Sequence, residues 1–127
     1  MGLAVLDEME GNIESRKRQF LQYREKLKDV VTFQVMSTGV SLNYAYVPVL
    51  LPSEEQAEKA YLTLKEKGIT VRRYFYPSLD TVEYFGAKVE CAVSRDVASR
   101  ILCLPIFYGL DEEIVDEVCS VISDIVD

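Results

Sequence analysis

Gly68-Ile69-Thr70-Val71-Arg72-Arg73-Tyr74-Phe75-Tyr76-Pro77 marks the place where a helix ends and a strand is expected to begin. Glycine at position 68 suits the left-handed residue that closes a helix. The run from Ile69 to Tyr76 is rich in β-branched and aromatic residues, and Pro77, lacking an N–H, stops it. Strand alternation places Arg72, Tyr74 and Tyr76 on one face and Val71, Arg73 and Phe75 on the other. Arg72 in that setting can hold a phosphate or carboxylate through paired hydrogen bonds. Tyr74 and Tyr76 offer flat faces with hydroxyl tips, suited to a sugar or a base. The alternative is a half-exposed strand whose arginines pair with acids and whose tyrosines pack on a helix.

Just upstream, Ser53-Glu54-Glu55-Gln56 has the form of a capping box. The serine oxygen can accept the N–H three residues on, and Gln56 can reach back. The helix it opens runs to about Lys67, with Ala57, Ala60, Tyr61 and Leu64 inward. Before it, Thr32–Met36 and Tyr44–Leu51 read as strands, and Pro48 makes the second an edge strand or a bulged one. After the quoted stretch, Tyr84-Phe85-Gly86 suggests a helical turn. Ser94 suggests the cap of a helix through Arg100, with Val97, Ala98 and Ile101 inward. Leu102-Cys103-Leu104-Pro105 reads as a short buried strand. Asp111 is placed to cap a last helix with a core face of Ile114, Val118, Val121, Ile122 and Ile125.

Residues 3–29 read as one long helix. Leu6, Ile13, Phe20 and Leu27 recur at heptad spacing, with Met9 and Tyr23 on the same stripe, and Arg16 interrupts it. The stripe serves a coiled coil or packs on this or another domain. No capping residue precedes Leu3, which suggests that the chain is part of something larger. The order is helix, then β-β-α-β-α-β-α. That predicts an α/β (α+β) fold in one domain, 1–127. A long helix over 1–30 accompanies a two-layer sandwich over 31–127, with helices on one face of a small sheet.

The chain has 127 residues, 49% of them apolar, and a net charge of −7, so a folded core is expected and a nucleic-acid partner is not. No apolar run is long enough for a membrane span, and the expected location is cytoplasmic. There is no histidine, and Cys91, Cys103 and Cys119 are scattered, so neither a metal site nor a Cys–His pair is expected. Phosphate-cradling glycine motifs are missing as well. No catalytic residue is assigned. Phe107 and Tyr108, on the loop Pro105–Leu110, either line a pocket or pack. Arg16 forms an ion pair or reaches a neighbouring chain.

These residues together resemble the C-terminal part of the DegT/DnrJ/EryC1/StrS family of sugar aminotransferases, over nearly the whole chain. Met1–Leu6 is similar to the start of that family's long helix, and Arg16, Tyr23 and Leu27 follow its "R……Y…L" pattern. Gly68-Ile69 followed by Arg72–Pro77 resembles its "GI…R..Y.P" segment. Ser94–Arg100 with Ile101–Pro105 resembles "ia.r.l.LP", and Asp111-Glu112-Glu113-Ile114 the start of its final helix. The resemblance implies the small domain of the aspartate-aminotransferase fold (fold type I) and dependence on pyridoxal phosphate in the complete enzyme. In that family the cofactor lysine and the phosphate-binding residues belong to a large domain. Here that domain is the missing partner, and no cofactor is expected on this chain alone. Lys17, Lys26 and Lys28 lie on a charged helix, unlike the desolvated lysine such chemistry uses.

The implied activity moves an amino group from an amino acid, commonly glutamate, to a keto-sugar carried on a nucleotide. Arg72, Tyr74 and Tyr76 would be the substrate contacts, with Tyr74 standing where many relatives have His. A homo-oligomer is expected. The competing expectation is a non-catalytic α/β interaction module dimerising through its first helix.

Overall fold

The computed structural model describes residues 6–85 and 90–127. The first helix, α1, spans Met9–Leu27 and buries Gln19, Phe20, Tyr23 and Leu27 along one face. Leu6 and Asp7 are helical as well, a turn at Glu8 interrupts the expected span of 3–29, the helix ends at Leu27 rather than 29, and residues 3–5 lie outside the described residues. The heptad stripe divides. Phe20 and Leu27 enter this chain's own core, whereas Leu6 and Met9 are 57% and 44% exposed.

Three strands follow the order β1-β2-β3, all antiparallel: β1 (Thr32–Phe33), β2 (Val47–Leu50) and β3 (Ile101–Leu104). The first two are shorter than the sequence suggests, and β2 is central rather than an edge. Pro48 is tolerated there because β1 pairs only as far as Val49, opposite Phe33. Directly opposed residues share a face of the sheet. Val47 and Val49 of β2 meet Leu104 and Leu102 of β3 on the buried face. Pro48 and Leu50 meet Cys103 and Ile101 on the other.

The strand expected over Ile69–Tyr76 is absent. Arg72 alone pairs, in an isolated antiparallel bridge to Cys103. The sheet thus has one residue of a fourth strand. Downstream, short 3-10 turns occupy Leu79–Thr81 and Glu83–Phe85, and Gly86 lies outside the described residues.

Helix α2 (Glu54–Glu66) forms as expected. The Ser53 hydroxyl accepts the Gln56 N–H at 3.2 Å. It donates to Gln56 Oε1 at 3.0 Å, so the glutamine reaches the cap's side chain rather than its main chain. At the other end Gly68 has φ +77°, Gly68 N–H donates to Lys65 O, and Ile69 N–H donates to Leu64 O. These paired bonds, with Ile69 buried near Leu64, form a Schellman stop. Helix α3 spans Ala92–Arg100 and begins after Cys91, not at Ser94. The Ser94 hydroxyl is bonded to that of Ser78 at 2.8 Å and is not used as a cap. Helix α4 (Glu112–Val126) follows Asp111, whose side chain makes no capping bond. Its buried face is Val115, Val118, Cys119, Val121 and Ile122, with Ile114 and Ile125 half-buried at its margins.

Helices α1 and α2 both pack on α4, and all three join the Val47/Val49/Leu102/Leu104 face in one apolar core. Ile122→Ala is expected to lower stability by about 2–5 kcal/mol, because the residue is fully buried and leaves a cavity. Leu62→Ala, at a half-exposed position of α2, should change it by less than about 0.5 kcal/mol. Urea unfolding of the two variants checks the contrast.

Candidate functional site

The site begins at the Arg72 bridge. Arg72 N–H donates to Cys103 O at 3.1 Å, and Cys103 N–H donates to Arg72 O at 2.7 Å. This pair fixes the residue at the sheet edge while its side chain stays exposed. Val71, one residue earlier, is buried in the core. Beyond Arg72 the chain turns, with Tyr76 N–H donating to Arg73 O at 3.2 Å. Alternation therefore ends there, and the expected row of Arg72, Tyr74 and Tyr76 is divided.

Arg72 Nη1 donates to the Tyr74 hydroxyl, and this bond chiefly raises the arginine pKa above its ordinary value. The Tyr46 ring meets Tyr74 edge-to-face, with centroids 6.0 Å apart. Arg72, Tyr74, Tyr46, Thr70, Pro105 and Phe107 line a cleft of about 340 Å³, and among the described residues no acidic one lines it. Arg72 keeps further N–H donors, and the Tyr74 hydroxyl keeps its own proton to donate. A fixed cation, hydroxyl donors and aromatic walls suit an anionic ligand that carries flat or apolar rings.

Tyr76 lies elsewhere. Its hydroxyl donates to Glu54 Oε1 at 3.3 Å, and the Arg73 guanidinium sits 3.7 Å from its ring centroid. Arg73 Nη2 in turn donates to Ser99 O at 2.6 Å. Tyr76 thus braces the turn against α2 and does not line the cleft.

The opposite wall hangs from α1. Gln19, 4% exposed, donates from Nε2 to Phe107 O at 2.9 Å and accepts the Phe107 N–H at 3.3 Å. The Tyr23 hydroxyl donates to Pro105 O at 3.0 Å, and burial pushes its pKa above the ordinary tyrosine range. Sequence reasoning did not single out Tyr46 or Gln19. Tyr46 sits in a Tyr- and Val-rich run that looks like plain strand. Gln19 was detectable as a polar residue beside the apolar stripe. Arg16 donates to Asn12 O of its own helix at 3.3 Å.

Below the turn, Asp80 gathers the segment leading into α3. Its side chain, 6% exposed, accepts from Cys91 N–H at 2.9 Å, from Arg95 Nε at 2.7 Å and from the Ser78 hydroxyl. These bonds, that from Ser78 foremost, hold its pKa down at about 2.

Among the described residues no lysine is buried, and Lys17, Lys26 and Lys67 are in exposed ion pairs. These residues do not fit a lysine-anchored aldehyde cofactor. No cluster of three or more His, Cys, Asp or Glu side chains able to hold a metal occurs among the described residues. Cys103 borders the cleft, but burial raises its pKa, and burial pushes the Cys119 thiol up to about 11. Neither supplies a ready thiolate.

Residues 1–123 match the sequence profile of the DegT/DnrJ/EryC1/StrS aminotransferase family. The chain is 33% identical to the dTDP-4-amino-4,6-dideoxy-D-glucose transaminase of Shigella dysenteriae, over 98% of its own length and 36% of the relative's. It is 29% identical to the GDP-perosamine synthase of Escherichia coli O157:H7, over 98% of itself and 34% of that protein. Its fold superimposes on the aminotransferase TlmJ of Streptoalloteichus hindustanus with a TM-score of 0.86 at 18% identity, covering 98% of this chain and 34% of TlmJ. The chain spans about a third of the length of these relatives. That share fits the C-terminal portion its motifs resemble.

The Asp80 bonds generate a pH prediction. A carboxyl with its folded pKa depressed contributes stability that is complete above its unfolded value of about 3.9. That contribution is lost as pH falls through about 2. Wild type should therefore exceed Asp80→Asn in stability at neutral pH, and the gap should close across this acid window. Urea titrations of both proteins at stepped pH measure it, and a gap constant down to pH 2 contradicts the assignment.

Proposed function

Because the chain belongs to the DegT/DnrJ/EryC1/StrS aminotransferase family, we propose that it forms the substrate-side wall of a nucleotide-sugar aminotransferase. In this reading the whole enzyme transfers an amino group from an amino acid, glutamate being the commonest donor, to a keto-sugar carried on a nucleotide. The relatives' names, one on a dTDP sugar and one a GDP-perosamine synthase, support that substrate class. Pyridoxal phosphate would supply the carbanion chemistry. Its anchor would come from the remaining two-thirds of a polypeptide like the relatives', in a fold type I large domain. Residues 1–127 then act as the small domain, in a cytoplasmic homo-oligomer.

The observation that carries the reading is the Arg72–Tyr74 pair at the mouth of an acid-free cleft walled by Tyr46 and Phe107. Arg72 would hold an anionic oxygen of the nucleotide-sugar, Tyr74 would donate beside it, and Tyr46 would offer its ring. Tyr76, proposed from sequence as a third contact, would act by holding the turn through Glu54. A module dimerising through α1 finds less support, since Phe20, Tyr23 and Leu27 are taken up by the chain's own core.

Calorimetry with dTDP and with GDP tests this. Heat of binding is expected from at least one of them. Arg72→Ala should weaken it by about tenfold or more, the worth of a charged hydrogen bond. Tyr76→Phe, which removes only the bond to Glu54, should change it by less than about twofold. Absence of heat with both at about millimolar concentration, or an Arg72→Ala affinity equal to wild type, overturns the reading.

A further inference from the structure

Phe107 forms part of the cleft wall, yet the residue is 53% exposed. So open a ring has little packing to hold it, and its place must come from its main chain. That main chain is held from α1. A buried amide is costly unless both its ends are bonded. Gln19 satisfies both ends on the main chain of a single residue, giving its Nε2–H to Phe107 O and taking the Phe107 N–H on Oε1. One helical turn later the Tyr23 hydroxyl holds Pro105 O. Gly109, at φ +82°, and the Leu110 N–H donating to Phe107 O at 3.3 Å then turn the chain toward α4. An apolar residue at position 19 would fill the same volume beside Phe20 but would leave the Phe107 N–H without its partner. The polar residue therefore specifies where the loop sits, not merely that the space is filled.

We propose that Gln19 is a positioning residue, which sets the far wall of the Arg72 cleft by holding the Phe107 main chain through its N–H and its C=O. Its meaning for ligand binding rests on the reading of the cleft given above, but its action on the wall does not. Cys103 provides a probe inside the protein, being 9% exposed and bordering the same cleft as Phe107. Cys119, 4% exposed in the core on α4, reports general loosening instead.

The experiment is alkylation by iodoacetamide, followed site by site by peptide mass spectrometry. Gln19→Met keeps the bulk and removes the bonds. Cys103 should then react about tenfold faster, the worth of one or two hydrogen bonds, with Cys119 unchanged. Equal acceleration at both thiols, or none at Cys103, overturns the proposal. Gln19→Glu guards against a misfolded methionine variant. Its carboxyl can still donate to Phe107 O while protonated and loses that donor on ionising. Amide exchange over residues 107–110 should therefore match wild type at acid pH and outpace it once the carboxylate forms. Exchange that differs from wild type by the same factor at every pH also overturns the proposal. dTDP or GDP, whichever binds wild type, should bind Gln19→Met more weakly. If neither binds wild type, the functional reading fails, while the Cys103 and exchange results still decide the role of Gln19.

Discussion

The register of one row across the sheet governs the rest of the structure. Pro48, Cys103 and Arg72 lie opposite one another on three adjacent segments, so their side chains share a face. The neighbouring rows put Val47 with Leu104 and Val49 with Leu102 on the other face, against the helices. A slip by one residue would send Arg72 into the core and Val71 to solvent. Burial of Val71, Leu102 and Leu104 resists that slip, and it thereby holds the arginine outward with no direct contact to its charge. Core packing and cleft chemistry are consequently one constraint seen from two sides.

The cleft has two walls of different make. The Arg72 wall is tied to β3 through paired main-chain hydrogen bonds, an extension of the sheet. The Phe107 wall is tied to α1 through side chains, Gln19 and Tyr23. Both walls meet at the end of β3, since Leu104 leads directly into Pro105. Helix α1 can therefore influence a ligand that it does not touch, because its side chains fix the main chain immediately after the strand. This also explains why Tyr23 is buried despite its hydroxyl: the phenol fills the core and its tip satisfies a carbonyl of the loop.

Local signals in the sequence were strong where a single residue type satisfies a single backbone need. Ser53 as a cap and Gly68 as a stop both form, and a strand forms inside the expected Tyr44–Leu51 run. They weakened where another group competed for the same atom. Ser94 has the right side chain for a cap, but Ser78 takes its hydroxyl, and α3 starts at Ala92 instead. The run after Gly68 has strand composition, but only Arg72 finds a partner on β3, and the chain then turns. Two of the three residues assigned to a ligand, Arg72 and Tyr74, come together, because the first is paired and its hydrogen bond holds the second. Tyr76 lies past the turn, where period-two reasoning no longer applies. Tyr46 and Gln19 depended on tertiary placement: one from the loop before β2, the other from a helix more than 80 residues away from its partner in sequence.

A net charge of −7 disfavours anions overall, so the charges next to the cleft decide what it can hold. Salt screens exposed charges from one another beyond about 8 Å under physiological conditions, so an acid farther away than that acts weakly on the cleft. Asp116 and Glu117 are further offset by Lys26 and Lys67 in ion pairs. Within the cleft the balance reverses, since Arg72 is the one charged residue among the described residues that line it. The surrounding acids would then slow the approach of a diphosphate without much weakening its hold, an effect on association that rising salt relieves. Local arrangement, not net charge, decides what such a cleft can bind.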